Sequence, residues 1–456
     1  MTTLPLLFLV ADTGAGHRTA AHAVGQALQR DYPGAFAPVL CDPLAGPGSA
    51  NLLRWVTGLY GPSIRLAPWA WGALYHGCDS RAAARILRST LLALADRPVA
   101  EAVARHRPAA VVSFHPLTGS AAIRARDATA PHAPVVTVVT DLVNIHAAWR
   151  DGGVDRIVVP PTATQAPATF GEFAWRRVDV GPPVATAFTV GPPRPYERAA
   201  LRRRLGVDEH RFLVLLTGGG EGAGGIARRA AAILRRFDDV GVVALCGRNR
   251  RLYARLTGLA ARCAGRLTVR GFVDNMADWM RCADVMVGKA GPGTIAEATC
   301  CGTPLLLTSH LPGQESGNIE FVVEAGAGRH VPTVRRLVRE VGLLRRDPVA
   351  VHRMRVAAAG LGRPRAASDI AALVADLVGV RAGGHGGGPV VAEPMVKGPV
   401  MAEPIVTEPV VTEPVVAGPV VTEPVVTEPV AMAPVVTEPV AMAPVVMAPV
   451  VMGSGS

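Results

Sequence analysis

Short, continuous apolar runs alternate with longer Ala-, Leu- and Arg-rich stretches along the first 380 residues. In the first half the runs are Leu4–Val10, Ala110–Ser113, Val135–Thr140 and Arg156–Val159. In the second half they are Arg211–Thr217, Val240–Cys246, Arg266–Arg270, Val285–Val287 and Pro304–Thr308. Uninterrupted apolar strands separated by helical stretches predict parallel sheets covered on both faces, an α/β class. The pattern occurs twice, and each half opens with a strand feeding a glycine loop: FLVADTGAGH, then VLLTGGGEGAGG. Two Rossmann-like domains with parallel sheets are therefore expected, residues 1–185 and 186–381, joined near GPPVATAFTVGPPRPYE (181–197). From Pro389 to Pro449 a proline recurs every five residues, thirteen times, in units such as VTEPV and AMAPV. Proline at that density blocks helix and central strand, so residues 382–456 are expected to form a disordered or polyproline-II-like tail.

Charge changes this picture. The formal net charge is +11, but seven of the 36 acidic and one of the 47 basic residues fall after residue 381. The body therefore carries 46 basic against 29 acidic residues, a net +17. Such a surface suits an anionic partner: nucleic acid, an anionic membrane or a phosphate-rich ligand. Arginines decorating helix faces account for part of the same excess. No recognition motif or stacking platform for nucleic acid is present, so none is expected as a partner. Seven cysteines, an odd number without a CxxC, fit a reducing cytoplasm and neither a disulfide framework nor a zinc site. No apolar run reaches the roughly 18 residues that span a bilayer. Leu4–Val10 runs straight into a glycine loop without a basic flank, which reads as a strand and not a signal peptide.

The densest chemistry lies in GKAGPGTIAEATCCGTPLLLTSHLPGQESGN, residues 288–318. A glycine turn opens a helix whose free N–H groups suit a diphosphate at Gly293 and Thr294. One turn inside, Glu297 can accept from a ribose diol. The loop after the next strand offers Gln314, Glu315 and Asn318 to sugar hydroxyls. Gly219 and Gly220 in the second glycine loop let backbone N–H groups approach phosphate closely. Phe272 and Val273, after a strand, can present backbone groups to a uracil edge, or Phe272 can fill the core. In the first loop, Asp12-Thr13-Gly14-Ala15-Gly16-His17, the spacing matches neither a dinucleotide fingerprint nor a P-loop. Gly16 and His17 sit at the carboxyl end of the first strand, the end that faces a ligand in open sheets. His17 there reads as a general base or a helix cap. His115, Asp141 and His146 follow later strands and fall at the same crevice, with core or capping roles as the alternative. Residues 51–77 interleave Trp55, Trp69 and Trp71 with arginines, as an anionic membrane interface or a packed helix would. No metal-ligand spacing is present, so no metal and no cofactor are expected.

In order, DTGAGHRTAA, SFHPLTG, VTDLVNIHAAW, TGGGEGAGG, GFVDNM, KAGPGTIAEA and PGQESGNIEFVVEAGAG resemble the monogalactosyldiacylglycerol synthase family and its diacylglycerol glucosyltransferase relatives. The peptidoglycan N-acetylglucosaminyltransferase is a more distant cousin. The resemblance covers about residues 4–375 and leaves out the tail. It implies a GT-B fold, two Rossmann-like domains facing across a cleft. It implies inverting, metal-independent transfer of a hexose from a UDP-sugar co-substrate to a lipid hydroxyl, diacylglycerol first among them. By position, Glu297 would hold the ribose and Phe272–Val273 the uracil. Gly219, Gly220, Gly293 and Thr294 would cradle the diphosphate, and Gln314 and Glu315 the hexose. His17 would activate the acceptor. Two positions depart from the family: GAGH stands for the common GGGH, and His146 is followed by Ala147-Ala148-Trp149 where the family has Pro-Thr-Trp.

The resulting expectation is a cytoplasmic glycolipid-forming hexosyltransferase, peripheral on the inner face of an anionic membrane. The alternatives are a polyprenyl-linked or secondary-metabolite acceptor, a UDP-sugar 2-epimerase and, most remotely, a basic nucleic-acid-binding protein.

Overall fold

The apolar runs become two parallel sheets. The structure is a computed structural model, which describes residues 3–11, 15–44, 68–80, 92–161, 171–220 and 225–381, with single positions at 82, 83, 86, 89, 90 and 222. Residues 12–14, Trp55, most of the second glycine loop after Gly220, and the proline-periodic segment 382–456 lie outside them.

The first sheet contains β1 (Leu4–Leu9), β2 (Phe36–Cys41), β3 (Ala110–Ser113), β4 (Val135–Val138), β5 (Arg156–Val159) and β6 (Arg177–Asp179), in the order β2-β1-β3-β4-β5-β6. The second contains β7 (Phe212–Thr217), β8 (Val240–Leu245), β9 (Leu267–Arg270), β10 (Val285–Lys289), β11 (Leu305–Ser309) and β12 (Gly328–His330), in the order β12-β11-β10-β7-β8-β9. Every pairing is parallel. Parallel strands cannot be joined by hairpins, so a helix crosses between them and buries its apolar stripe on the sheet. The helix Ala15–Asp31 does so through Ala20, Ala23, Val24, Ala27 and Leu28, spaced by three and four residues.

Topology then fixes where a ligand can bind. Strand order reverses between β1 and β3 in the first sheet, and between β7 and β10 in the second. At such a reversal the crossovers leave in opposite directions and open a crevice at the carboxyl ends of the strands. The chain there carries His17 in the first turn of the helix after β1, His115 after β3, Gly218–Gly220 after β7 and Lys289–Gly293 at the end of β10.

One helix crosses between the halves. Ala366–Leu377 packs Ile370, Ala371, Val374 and Ala375 into the core around Phe8 and Val24 of the first sheet. Each fully buried Val or Ile contributes about 1.5–3 kcal/mol, so Ile370 and Val374 stabilise this return contact. Arg30 of the helix Ala15–Asp31 also donates to Ser368 Oγ at 2.6 Å. Among the described residues no helix is long and apolar enough to cross a membrane.

Candidate functional site

At the end of β7 the Gly218–Gly220 turn is pressed against the loop after β8. Gly222 and Gly247 both hold positive φ, +59° and +56°. A Cβ on Gly222 would lie 2.2 Å from the Cys246 carbonyl oxygen, and one on Gly247 would lie 2.3 Å from that of Gly220. Only glycine permits two backbones this close. The contact brings Arg248 to the turn: its N–H donates to Gly220 O at 2.8 Å, and its guanidinium lies 4.8 Å over the Phe272 ring. Phe272 is 62% exposed, so of its two sequence readings the core one is excluded. Val273 beside it is half-buried against the core.

β10 ends in a register shift between Gly288 and Lys289, which turns the Lys289 side chain out of an otherwise buried strand. Gly291 then caps the helix Pro292–Cys300, with Pro292 at its first position. The first intrahelical bond is from Ile295 N to Gly291 O, which leaves the Gly293 and Thr294 N–H groups pointing outward. Lys289 Nζ donates to Glu315 Oε1 at 2.8 Å, and Leu311 N to Glu315 Oε2 at 2.7 Å. Glu315 is 4% exposed with both oxygens engaged, so here it fixes Lys289 at the helix start. Asn318 is fully buried and donates to Ala290 O at 2.9 Å, which braces the same turn. Glu297 differs. Among the described residues nothing hydrogen-bonds its carboxylate, and burial pushes its pKa up to about 7.

Across the cleft, His17 Nδ1 lies 2.8 Å from the Phe114 carbonyl oxygen and 2.9 Å from Thr140 Oγ1. A carbonyl only accepts, so Nδ1 carries the proton and Nε2 keeps its lone pair. Burial lowers the His17 pKa to about 4 against the opposing pull of the Phe114 carbonyl, so the ring is neutral at pH 7. His115 packs edge-on to it at 4.5 Å and accepts from Leu117 N at Nδ1; burial and the His17 ring hold His115 well below the usual histidine range. Gly16 is exposed beside His17.

Asp141 is 3% exposed and joins the two halves. Its Oδ2 accepts from Trp149 Nε1 at 2.7 Å and its Oδ1 from Gln314 Nε2 at 2.8 Å. Burial raises its pKa to about 6 despite these two donors. Trp149 in turn lies 6.2 Å from the His17 ring. His146 stands apart from this group. Its Nδ1 caps the turn Ala147–Trp149 by accepting from Ala148 N, and its Nε2 is 3.4 Å from Cys78 Sγ. It ties the loop to the helix Pro68–Cys78.

That helix is docked on the Gln314 loop. A Cβ on Gly72 would lie 2.8 Å from Pro312 Cβ, and one on Gly313 would lie 2.7 Å from the Tyr75 ring. Trp69 and Leu74 of the same helix are 75% and 60% exposed. Trp71 is placed on the helix by its backbone, and its side chain lies outside what is described. Among the described residues no group of three or more His, Cys, Asp or Glu is positioned to hold a metal ion.

The structure thus gathers His17, His115 and Asp141 on one wall and Gly219, Gly220, Phe272, Gly293, Thr294 and Glu297 on the other. Arg248 and Trp149 join the site without being sequence candidates for it. The only signal for Arg248 is an arginine three residues past the buried strand β8, in LCGR.

Residues 17–180 match the monogalactosyldiacylglycerol (MGDG) synthase family, and residues 213–340 match the glycosyltransferase family 28 C-terminal domain. The probable monogalactosyldiacylglycerol synthase 2, chloroplastic, of Oryza sativa subsp. indica is 32% identical over 346 residues, covering 74% of this chain and 72% of that protein. The chain belongs to the monogalactosyldiacylglycerol synthase family. Monogalactosyldiacylglycerol synthase 1, chloroplastic, of Arabidopsis thaliana is 33% identical over 348 residues, covering 71% of this chain. The chain spans 61% of that relative's length and 65% of the Spinacia oleracea synthase's. Among solved structures, Acinetobacter baumannii MurG superposes with a TM-score of 0.56 at 15% identity, covering 82% of this chain and 99% of that one. The glycotransferase of kitacinnamycin gives 0.53 at 15% identity, over 83% of this chain and 99% of that one. These likenesses show the fold, which is GT-B, for this member of the family.

Proposed function

We propose that this chain transfers a hexose from a UDP-sugar to the free hydroxyl of diacylglycerol, inverting the anomeric carbon. Its relatives' names support the lipid product. The observation that carries the mechanism is the fixed tautomer of His17, which presents an unprotonated Nε2 at the first sheet's switch point. Nε2 accepts the proton of the acceptor hydroxyl as its oxygen attacks the anomeric carbon. The attack comes from the face opposite the diphosphate, and UDP departs with the bonding electron pair. Negative charge then grows on the distal phosphate. The Gly293 and Thr294 N–H groups, the Gly219–Gly220 turn, Arg248 and Lys289 supply the compensating field, without protein reorganisation. Glu297 accepts from the ribose diol, Phe272 lies under the uracil, and Gln314 contacts the hexose.

A pH dependence follows from Glu297. Its pKa of about 7 means that it is neutral below that pH and ionised above. The ionised form is the better acceptor, so donor affinity should rise as pH goes from 6 to 8. His17, neutral throughout that range, adds no limb. Titration calorimetry with UDP at several pH values is expected to show this rise in the wild type and its loss in Glu297→Gln, with binding weakened overall. A wild-type affinity flat between pH 6 and 8 would remove Glu297 from the donor site.

Membrane contact is part of the proposal. The +17 body attracts an anionic leaflet, and Trp69 and Leu74 project from the helix that abuts the Gln314 loop. Replacing both by alanine should weaken sedimentation with phosphatidylglycerol vesicles roughly tenfold or more, from the transfer free energy of two large apolar side chains. Unchanged sedimentation would place the membrane face elsewhere. On this proposal the protein works at the cytoplasmic face.

A further inference from the structure

We infer that Asp141 is a positioning residue that sets the hydrogen-bonding polarity of Gln314 toward the donor sugar. The inference rests on Gln314 being a sugar contact, as proposed above.

A glutamine amide can meet a ligand with either end: its oxygen accepts and its nitrogen donates. Which end faces the ligand is decided by what holds the other. Here the holder is a carboxylate, which when ionised can only accept. Asp141 Oδ1 lies 2.8 Å from Gln314 Nε2, so the amide nitrogen is turned toward Asp141 and Oε1 is left for the cleft. Among the described residues Oε1 has no hydrogen-bond partner. Asp141 cannot rotate out of the role, because its Oδ2 is held at 2.7 Å by the buried Trp149 indole.

Gln314 cannot retreat either. Its loop is docked on the first half on both sides: Gly313 against the Tyr75 ring, and Gly317 through its N–H to Asn144 Oδ1 at 3.0 Å. A Cβ on Gly317 would come within 2.6 Å of Val143 Cγ1. The Tyr75 hydroxyl closes the junction by donating to Asn144 O at 3.1 Å. The donor sugar is therefore read by an acceptor oxygen, which requires a hydrogen donor on the sugar, a hydroxyl or an N–H. The same carboxylate holds Trp149 beside His17, so the wall of the acceptor side and the orientation of the sugar contact share one anchor.

An exchange of polarity tests this. In Asp141→Asn, the oxygen of the introduced amide keeps the Trp149 indole and its nitrogen faces Gln314, which must flip and present a donor to the sugar. In Gln314→Glu, two carboxylates face each other. Each single variant should lower kcat/KM for UDP-hexose roughly 10- to 100-fold. In the double variant the amide nitrogen introduced at position 141 donates to one oxygen of the carboxylate introduced at position 314. The other oxygen of that carboxylate meets the sugar as an acceptor again. Recovery to within about tenfold of wild type is expected, since the sugar meets the same acceptor geometry. Affinity for UDP, which lacks the sugar, should be unchanged in all three variants, a result that a general packing defect would not give. A double variant as poor as the product of the singles, or a parallel loss of UDP affinity, overturns the assignment. If the wild type itself bound no UDP-hexose, the proposed function would fall with it; wild-type transfer without recovery in the double variant removes only the polarity of Gln314.

Discussion

Replacing His17 by alanine is expected to abolish hexose transfer while UDP binding persists. A positioned general base contributes typically 10²–10⁴-fold, and among the described residues no second group shares the position. His115 packs against the ring but accepts a backbone N–H at Nδ1 and is held neutral by burial. Asp141 is committed to Trp149 and Gln314. The donor wall is built by β7, β10 and the segments after them, whereas the hydrogen bonds and ring contacts of His17 run to Phe114, Thr140, His115 and Trp149 of the first half. Turnover with UDP-hexose and diacylglycerol should therefore fall by at least two orders of magnitude, with the dissociation constant for UDP within about twofold of wild type. Retained turnover would remove His17 as the base, and loss of UDP affinity would show that the substitution reached the donor wall.

Asp284→Ala is expected to produce the largest loss of stability. Asp284 sits just before β10 and is nearly buried. Its Oδ1 accepts from Arg198 and its Oδ2 from Arg202, both at 2.7 Å, and Leu213 N adds a third donor at 2.8 Å. Arg202 is 3% exposed and also donates to the carbonyls of Cys282, Glu209 and Arg211. Arg355 lies close by, its pKa lowered to about 10 by burial and then by Arg198. Removing the carboxylate leaves this group of guanidinium ions without their counter-charge in the interior. Breaking a buried pair from one side costs about 3–5 kcal/mol, against a total of about 5–15 kcal/mol for a domain. Because Leu213 is the second residue of β7, the strand feeding the donor turn, the second sheet should lose cooperativity. A urea midpoint displaced by less than the equivalent of about 1 kcal/mol would show that the cluster is hydrated.

The sequence pattern made the interior of the fold legible and its margins not. All nine apolar runs are strands. The three unforeseen strands, β2, β6 and β12, are each at a sheet edge. Phe36–Cys41 reads FAPVLC, an apolar run broken by Pro38, which a strand tolerates at an edge, and Arg177–Asp179 and Gly328–His330 are three-residue edge strands with no apolar run. The return of Ala366–Leu377 to the first core was also invisible, because an apolar stripe does not say which sheet it will cover. At the site, glycine turns and the order of motifs placed His17, Glu297 and the helix start. They did not show that Glu315 and Asn318 brace β10, that His146 caps a turn, or that Arg248 is delivered by a backbone contact between Gly220 and Gly247. Those facts depend on which side chains meet across loops distant in sequence.

Transfer to a lipid hydroxyl through this cleft leaves a product that partitions with lipid. The most direct measurement incubates the purified chain with radiolabelled UDP-hexoses and vesicles containing diacylglycerol and phosphatidylglycerol, followed by separation of the lipid and aqueous phases. Label is expected in a neutral glycolipid, dependent on diacylglycerol and lost in His17→Ala. Label remaining in the aqueous phase, as unreacted donor or as a released epimerised sugar formed without lipid, would contradict transfer to lipid.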